Sequence, residues 1–227
     1  SMIASGNYDS ARVVFVSASE GNNATAQIHS ITSLDFDSHG RFVSTGTIYP
    51  YASISTAYAQ MRDGYPDIIL LKAGDDWTSS ATLTLVSGQS QTARHIVSSY
   101  GAGDRPQLFE SLLDAQNEDN IIVSGLHFYS DDWINASRVF DIRGTASHQL
   151  YEDNITIGHG GHIIQGSNES NLCDYIVVRR NIFRHGEAHD GQWFATRTDN
   201  TLFEENLWIE PYQESYLDES QYGRFFY

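Results

Sequence analysis

Four histidines fall between residues 159 and 189, His159, His162, His185 and His189, and the stretch His185-Gly-Glu-Ala-His-Asp190 sets two of them beside carboxylates. Imidazole with carboxylate is a donor set that suits Zn2+ and related ions. The spacing argues against such a site. Four residues align two histidines on a helix, whereas this stretch carries a glycine and lies between β-rich pieces, so it does not make the side chains converge. Trp133, Trp193 and Tyr151, together with the tyrosines near the C-terminus, offer broad apolar faces with polar edges, which can stack on sugar rings. Trp77 and Trp208 lie on segments of apolar periodicity and read as core. Asp141 and Arg143 alternate along one short β-rich piece, and Asp190 and Asp199 flank Arg197. An Arg–Asp pair on a strand face is ordinarily an exposed ion pair worth about 0–1 kcal/mol.

The elements that must position these residues are mostly strands. Arg12 to Val16 is a short β-branched run, followed by a polar loop rich in Gly and Asn. One helix is expected over Tyr51 to Met61. Pro50 stands where a first turn tolerates it, Tyr51, Ile54, Ala57, Tyr58 and Met61 recur at three- and four-residue spacing, and Gly64 and Pro66 stop the pattern. Beyond it, β-rich pieces follow one another from Ile68 to Ile209. Four of them overlay: Ile121-Ile-Val-Ser-Gly-Leu-His-Phe128, Leu150-Tyr-Glu-Asp-Asn-Ile-Thr-Ile157, Val177-Val-Arg-Arg-Asn-Ile-Phe183 and Leu202-Phe-Glu-Glu-Asn-Leu-Trp-Ile209. Gly125, Asn154, Asn181 and Asn206 then align, 29, 27 and 25 residues apart, which is about one turn of a parallel β-solenoid. Asparagine suits that position because it tolerates a left-handed bend and its amide bonds nearby backbone or the next Asn. The expected fold is all-β, with an interior asparagine ladder and the helix capping the N-terminal end.

Composition bounds the partners. The chain has 227 residues, enough for one core. Lys plus Arg number 13 against 29 Asp plus Glu, a net charge of 13 − 29 = −16, which repels phosphate backbones and anionic lipid surfaces, so neither nucleic acid nor membrane is an expected partner. With 40% hydrophobic residues and no long apolar run, the sequence describes a folded, soluble protein. Its one cysteine, Cys173, excludes an intrachain disulfide.

Val14-Phe-Val-Ser-Ala-Ser-Glu-Gly-Asn-Asn23, Tyr49-Pro-Tyr-Ala-Ser-Ile-Ser-Thr-Ala57 leading to Asp67-Ile-Ile-Leu-Leu-Lys-Ala-Gly74, Ile96-Val-Ser-Ser-Tyr-Gly-Ala-Gly-Asp-Arg-Pro106 and Asn120-Ile-Ile-Val-Ser-Gly-Leu126 resemble the right-handed parallel β-helix proteins of the pectate lyase and polygalacturonase type. The resemblance implies a right-handed parallel β-helix in a single domain. Residues 1–75 would supply the N-terminal strand, loop and capping helix, 76–210 the turns, and 211–227 a tail that folds over the last turn or leaves the chain to dimerise through its C-terminal end. It also implies an extracellular or cell-surface location and a polysaccharide laid along the outer face of one sheet. On that sheet, with Phe140, Ile142 and Ile163 inward, Asp141, Arg143 and His162 would face out.

The resemblance implies two chemistries. Lyases of this fold remove the proton beside a uronate carboxylate, with Arg as base and Ca2+ held by acidic side chains. Arg143 and Arg197 are the matching bases, Asp141, Asp190 and Asp199 the Ca2+ ligands, and Asp141, His162, Trp193 and His189 the substrate contacts. Hydrolases of the fold use paired acids, and Asp131-Asp132 before Gly158-His-Gly160 follows part of their order, with Arg197 near a substrate-binding position. The Asn-Thr-Asp element of that pattern is absent, and the two segments equally suit a loop and a turn. A glycan-binding or structural solenoid without catalysis is the remaining reading.

Overall fold

The computed structural model describes residues 7–38, 40–79, 82–131, 138–159, 162–184 and 194–209. Three parallel sheets wrap a common core, and the chain visits first, second and third sheet in order through about five turns. The first sheet stacks Val13–Val16, Ile68–Lys72, His95–Tyr100, Asp119–Ser124, Ser147–Glu152, Cys173–Arg179 and Leu202–Glu204. The second runs from Asp76–Trp77 through Gln107–Phe109, His127–Tyr129, Ile155–Ile157 and Ile182–Arg184 to Leu207–Ile209. The third stacks Thr82–Thr84, Leu112–Asp114, Phe140–Gly144, Ile163–Gly166 and Phe194–Thr196.

Alternation along each strand sends one row of side chains inward. In the first sheet these are Val14 and Val16, Ile69 and Leu71, Val97, Ile121 and Val123, Tyr151, then Ile176 and Val178. Tyr151 is therefore a core residue rather than a sugar platform, and its hydroxyl donates to Gln149 Oε1 at 2.7 Å. The outward row has a second core of its own. Val13, Phe15, Ile68, Leu70, Ile96, Tyr100 and Ile122 are covered by Tyr8, Ala11 and an excursion over residues 27–48 that contains the antiparallel pair Leu34–Phe36 and Phe42–Ser44. This explains the unbroken apolar runs Val-Val-Phe-Val and Ile-Ile-Leu-Leu: strands covered on both faces have no solvent side to make polar. Each such fully buried side chain stabilises the fold by about 1.5–3 kcal/mol.

The asparagine ladder forms at Asn154, Asn181 and Asn206 as expected, and only Gly125 is one residue out of register. Asn154 and Asn181 are buried. Asn154 Nδ2 and its backbone N–H both donate to Asn181 Oδ1, at 3.1 and 2.9 Å, and the same pair of donors from Asn181 reaches Asn206 Oδ1 at 3.0 Å. The remaining amide hydrogens go to carbonyls of Val123, Tyr151 and Val178. Pairing of Ser124 with Glu152 and His127 with Ile155 aligns Leu126, not Gly125, with Asn154. The left-handed residue is the one before the ladder position, Gly125, Asp153, Arg180 and Glu205 in successive turns. The bend and the amide are thus separate tasks on adjacent residues, and Leu126 fills the ladder site with apolar bulk where the stack begins.

The helix is shorter than its periodicity predicts, Ile54–Tyr58, with Ser53 capping it by accepting from Thr56 N–H at 3.3 Å. Tyr51 bridges to Val16 instead of joining the helix, and Ala59 to Met61 continue as tight turns. Its packing is as expected. Ile54, Ala57 and Tyr58 are buried in the inner core, with Met61 packed against it. Trp77 Nε1 donates to Ala52 O at 3.3 Å, and Val86 N–H donates to Tyr58 Oη at 3.0 Å, so the segment closes the end of the first turn. The C-terminal tail lies outside the described residues.

Candidate functional site

The outer face of the third sheet carries Asp141 and Arg143 as expected, and they are spent on each other. Arg143 closes on Asp141 as a fork, Nε on one carboxylate oxygen and Nη2 on the other. Hydrogen bonding to Asp141 raises the Arg143 pKa, against a smaller opposing effect of burial. A general base must first be neutral, so this pairing holds the side chain away from that role. It also occupies both oxygens that Asp141 would offer to Ca2+.

His162 faces the interior, contrary to the expected orientation. Ile163, not His162, pairs with Asp141 and takes the outward position. The imidazole packs 5.0 Å from the ring of Phe140 and 5.2 Å from that of Phe183, with Nε2 3.4 Å from Thr156 Oγ1. Burial, aided by the charge of His159, pushes its pKa well below the ordinary value, which makes it a neutral core residue out of reach of substrate. His159 is buried too. The glycine before it is required by the backbone: Gly158 has φ 72°, and a Cβ there would stand 2.3 Å from Ser130 O. That part of the Gly-His-Gly motif is a turn.

Arg197 occupies a left-handed corner between the third and first sheets, exposed, with Nε 3.7 Å from Glu169 Oε1. Asp199 continues into the first sheet opposite Asp174 and accepts from Asn200 N–H. Asp141 and Asp199 consequently lie on different sheets and different turns. Among the described residues, no group of three or more His, Cys, Asp and Glu could hold a metal ion. Trp193, His189, Asp190, His185, Trp133 and Asp132 lie outside the described residues, while Asp131 is exposed.

The concave site is elsewhere. A cavity of about 400 Å3 opens over the outer face of the first sheet, where its strands turn toward the second, within the range of small-ligand pockets. Its floor is the outward row Ser98, Ser124 and Glu152, one per turn, with Ser98 Oγ and Ser124 Oγ 3.0 Å apart. Glu152, only 4% exposed, accepts from Arg179 Nε at 2.8 Å and Arg180 Nη2 at 2.6 Å. Asp153 binds the same Arg180 at 3.1 Å and receives Arg105 Nε on its carbonyl at 2.8 Å. The loop residues Asp104 and Arg105 form one wall. Gly40, Arg41 and Phe42 at the tip of the antiparallel pair form another, anchored by Gly101 N–H on Phe42 O at 2.9 Å. Each arginine around the cavity has an acceptor: Arg41 bonds Asp37, and the rest engage Glu152 and Asp153. The arrangement presents carboxylates and hydroxyls in a shaped hollow with no surplus positive charge. A trace of it stands in the sequence, since Ile96-Val-Ser98 and Ile122-Val-Ser124 break apolar strands with serine at one register. Nothing local brings Arg41 or Asp104 beside them.

Fold and site together define a parallel β-solenoid with a polar hollow on its outer surface. No family model matches the chain and no curated protein sequence does. Two solved structures are similar in fold, the native protein and a selenomethionine derivative of GH136 lacto-N-biosidase from Eubacterium ramulus, each with a TM-score of 0.54 at 12% and 13% identity. The similarity covers 86% of this chain and 40–41% of those chains, so the chain spans about two fifths of their length.

Proposed function

We propose that this chain is a carbohydrate-active β-solenoid that takes a neutral saccharide into the cavity between Ser98, Ser124, Glu152 and Asp104 and cleaves a glycosidic bond with the carboxylates there. The observation that carries this reading is the hollow itself. Carboxylates, serine hydroxyls and guanidinium groups converge in about 400 Å3 and match the donor and acceptor pattern of sugar hydroxyls. Hydrolysis needs two acids, one to protonate the leaving oxygen and one to activate water or attack; Asp104 on the exposed loop takes the first role in this reading, and Glu152 or Asp153, which accept from Arg180, the second. The lacto-N-biosidase of similar fold supports the class of reaction. A neutral substrate follows from charge: the chain carries −16, and the arginines at the cavity are already engaged. A protein of this kind would work at the cell surface or outside it.

A second reading, β-elimination on a uronate polymer with Ca2+, is favoured by Arg197, which is exposed and, among the described residues, has its ion-pair partner Glu169 at 3.7 Å. One assay separates the two. Neutral oligosaccharides and uronate polymers are incubated with the protein, with and without Ca2+, and followed both by chromatography and by the ultraviolet absorbance of unsaturated products. New reducing ends from neutral substrates, lost in Asp104→Asn and Glu152→Gln, are expected. Unsaturated products lost in Arg197→Ala would transfer the assignment to the lyase reading.

A further inference from the structure

The cover over the first sheet is graded along the solenoid. In the outward apolar row, Ile68 and Ile96 are 0% exposed, Ile122 5%, Leu150 and Val177 are half-buried, and Leu202 is 45% exposed. The N-terminal segment and the excursion over residues 27–48 bury this face in the early turns and leave it bare in the later ones. The neighbouring row behaves the same way. Phe15 and Leu70 are sealed against Tyr100 and Phe42, Ser98 and Ser124 floor the cavity, and Glu152, Arg179 and Glu204 lead out of it.

A polymer crossing the strands here meets a wall at the early turns. Turns repeat at about 4.8 Å, so the hollow from Ala73 in the first turn to Asp153 in the fourth is about 14 Å long. Beyond it the surface is amphipathic, with Leu150, Val177 and Leu202 beside the hydrogen-bonding row Glu152, Arg179 and Glu204, a match for a sugar chain with apolar ring faces and hydroxyl edges. We infer that the cavity receives the terminal sugar of a glycan, with the rest of the chain laid over the first sheet toward the later turns. A site for the middle of a polymer needs both ends of its path open, and this one is closed by Phe42 and the covered row behind it. The inference rests on the carbohydrate reading and specifies which part of the glycan enters.

The test is an array of linear oligosaccharides, neutral and uronate-containing, attached through either end, each present with its terminal sugar free and with that sugar extended by further residues. Binding to a free-ended set and roughly tenfold or greater weakening on extension is expected, the scale of a few lost hydrogen bonds and a steric clash. Equal binding to free and extended forms would overturn terminal recognition and leave the carbohydrate reading standing. Binding to no glycan would defeat the carbohydrate reading itself. Two variants tie the result to the cavity. Ser124→Leu fills its floor, and Asp104→Ala removes a carboxylate from an exposed loop whose backbone carbonyl still holds Gly74 N–H at 2.8 Å. Free-end binding should fall in both. Unchanged binding by a folded Asp104→Ala protein would place the terminus elsewhere and refute the inference.

Discussion

His95 makes the stability of the capped end depend on pH by a calculable amount. Its ring is fully buried. Nδ1 lies 2.8 Å from the carbonyl oxygen of Asp67, which can only accept, so Nδ1 carries the proton. Nε2, 2.9 Å from Tyr58 Oη, then accepts the tyrosine hydrogen, and Tyr58 Oη in turn accepts from Val86 N–H. Every polar atom of this chain of bonds is satisfied with imidazole neutral. Burial accordingly lowers the His95 pKa from 6.5 to about 4, against a smaller opposing pull from the Asp67 carbonyl and charge. A base whose pKa is depressed by folding stabilises the native state fully above the unfolded value, and that contribution drains as pH falls from 6.5 toward about 4. The whole effect is about 3 kcal/mol, and roughly 2 kcal/mol of it is lost between neutral pH and pH 5. Urea unfolding of the wild type and His95→Gln across this range isolates it, because carboxylates elsewhere titrate in both proteins. The wild-type advantage should shrink by about 2 kcal/mol from pH 7 to pH 5. A difference that stays constant with pH would show that the imidazole is not held neutral by the fold.

Two further substitutions test the packing arguments. Asn181→Ala removes an amide whose Oδ1 accepts two bonds from Asn154 and whose Nδ2 donates to Tyr151 O, Arg179 O and Asn206 Oδ1; denaturant unfolding should show a loss of about 3 kcal/mol, the cost of several stranded buried groups, whereas a loss below about 1 kcal/mol would refute the ladder's contribution. Arg143→Ala strands the largely buried Asp141 carboxylate and should lower stability by about 1–2 kcal/mol after allowing for the exposed guanidinium, with glycan turnover unchanged if the cavity on the first sheet is the site.

The solenoid was legible because its rule is local and repeated. An asparagine every 25–27 residues, followed by an apolar, variable, apolar step, reflects a contact each turn makes with the next, and the stacked amides of Asn154, Asn181 and Asn206 are that contact. The register error at Gly125 has an equally local cause. Left-handed bend and inward amide sit on adjacent residues, and a glycine looks like the bend residue and the ladder residue alike. Overlay by composition merged them, while strand pairing separates Gly125 from Leu126. His162 went astray for the same reason, since one residue of slip exchanges the two faces of a strand. The short helix shows tertiary structure overriding periodicity: Tyr51 fits the helical pattern, yet its bridge to Val16 extends the first sheet. The cavity was the least legible because its walls come from residues 40–42, 73, 98–99, 101, 103–105, 124–125 and 152–153, which only the stacking of turns and the folding back of the excursion bring together.

The excursion over residues 27–48 links stability to the placing of the hollow. A solenoid whose outward strand face is as apolar as Phe15, Leu70 and Tyr100 needs a cover, and Phe42 with its neighbours supplies one by packing on that face and pairing beside Tyr100. Such a cover must end somewhere. Where it ends, the row changes from Phe15 and Leu70 to Ser98, Ser124 and Glu152, since a side chain at the margin meets both the packed excursion and solvent and must satisfy hydrogen bonds there. The step between a covered and a bare sheet is itself a concavity, floored by polar groups and walled by the tip of the cover. The position of the hollow along the solenoid therefore follows the reach of the excursion, and a variant with a longer one would carry its hollow further toward the later turns.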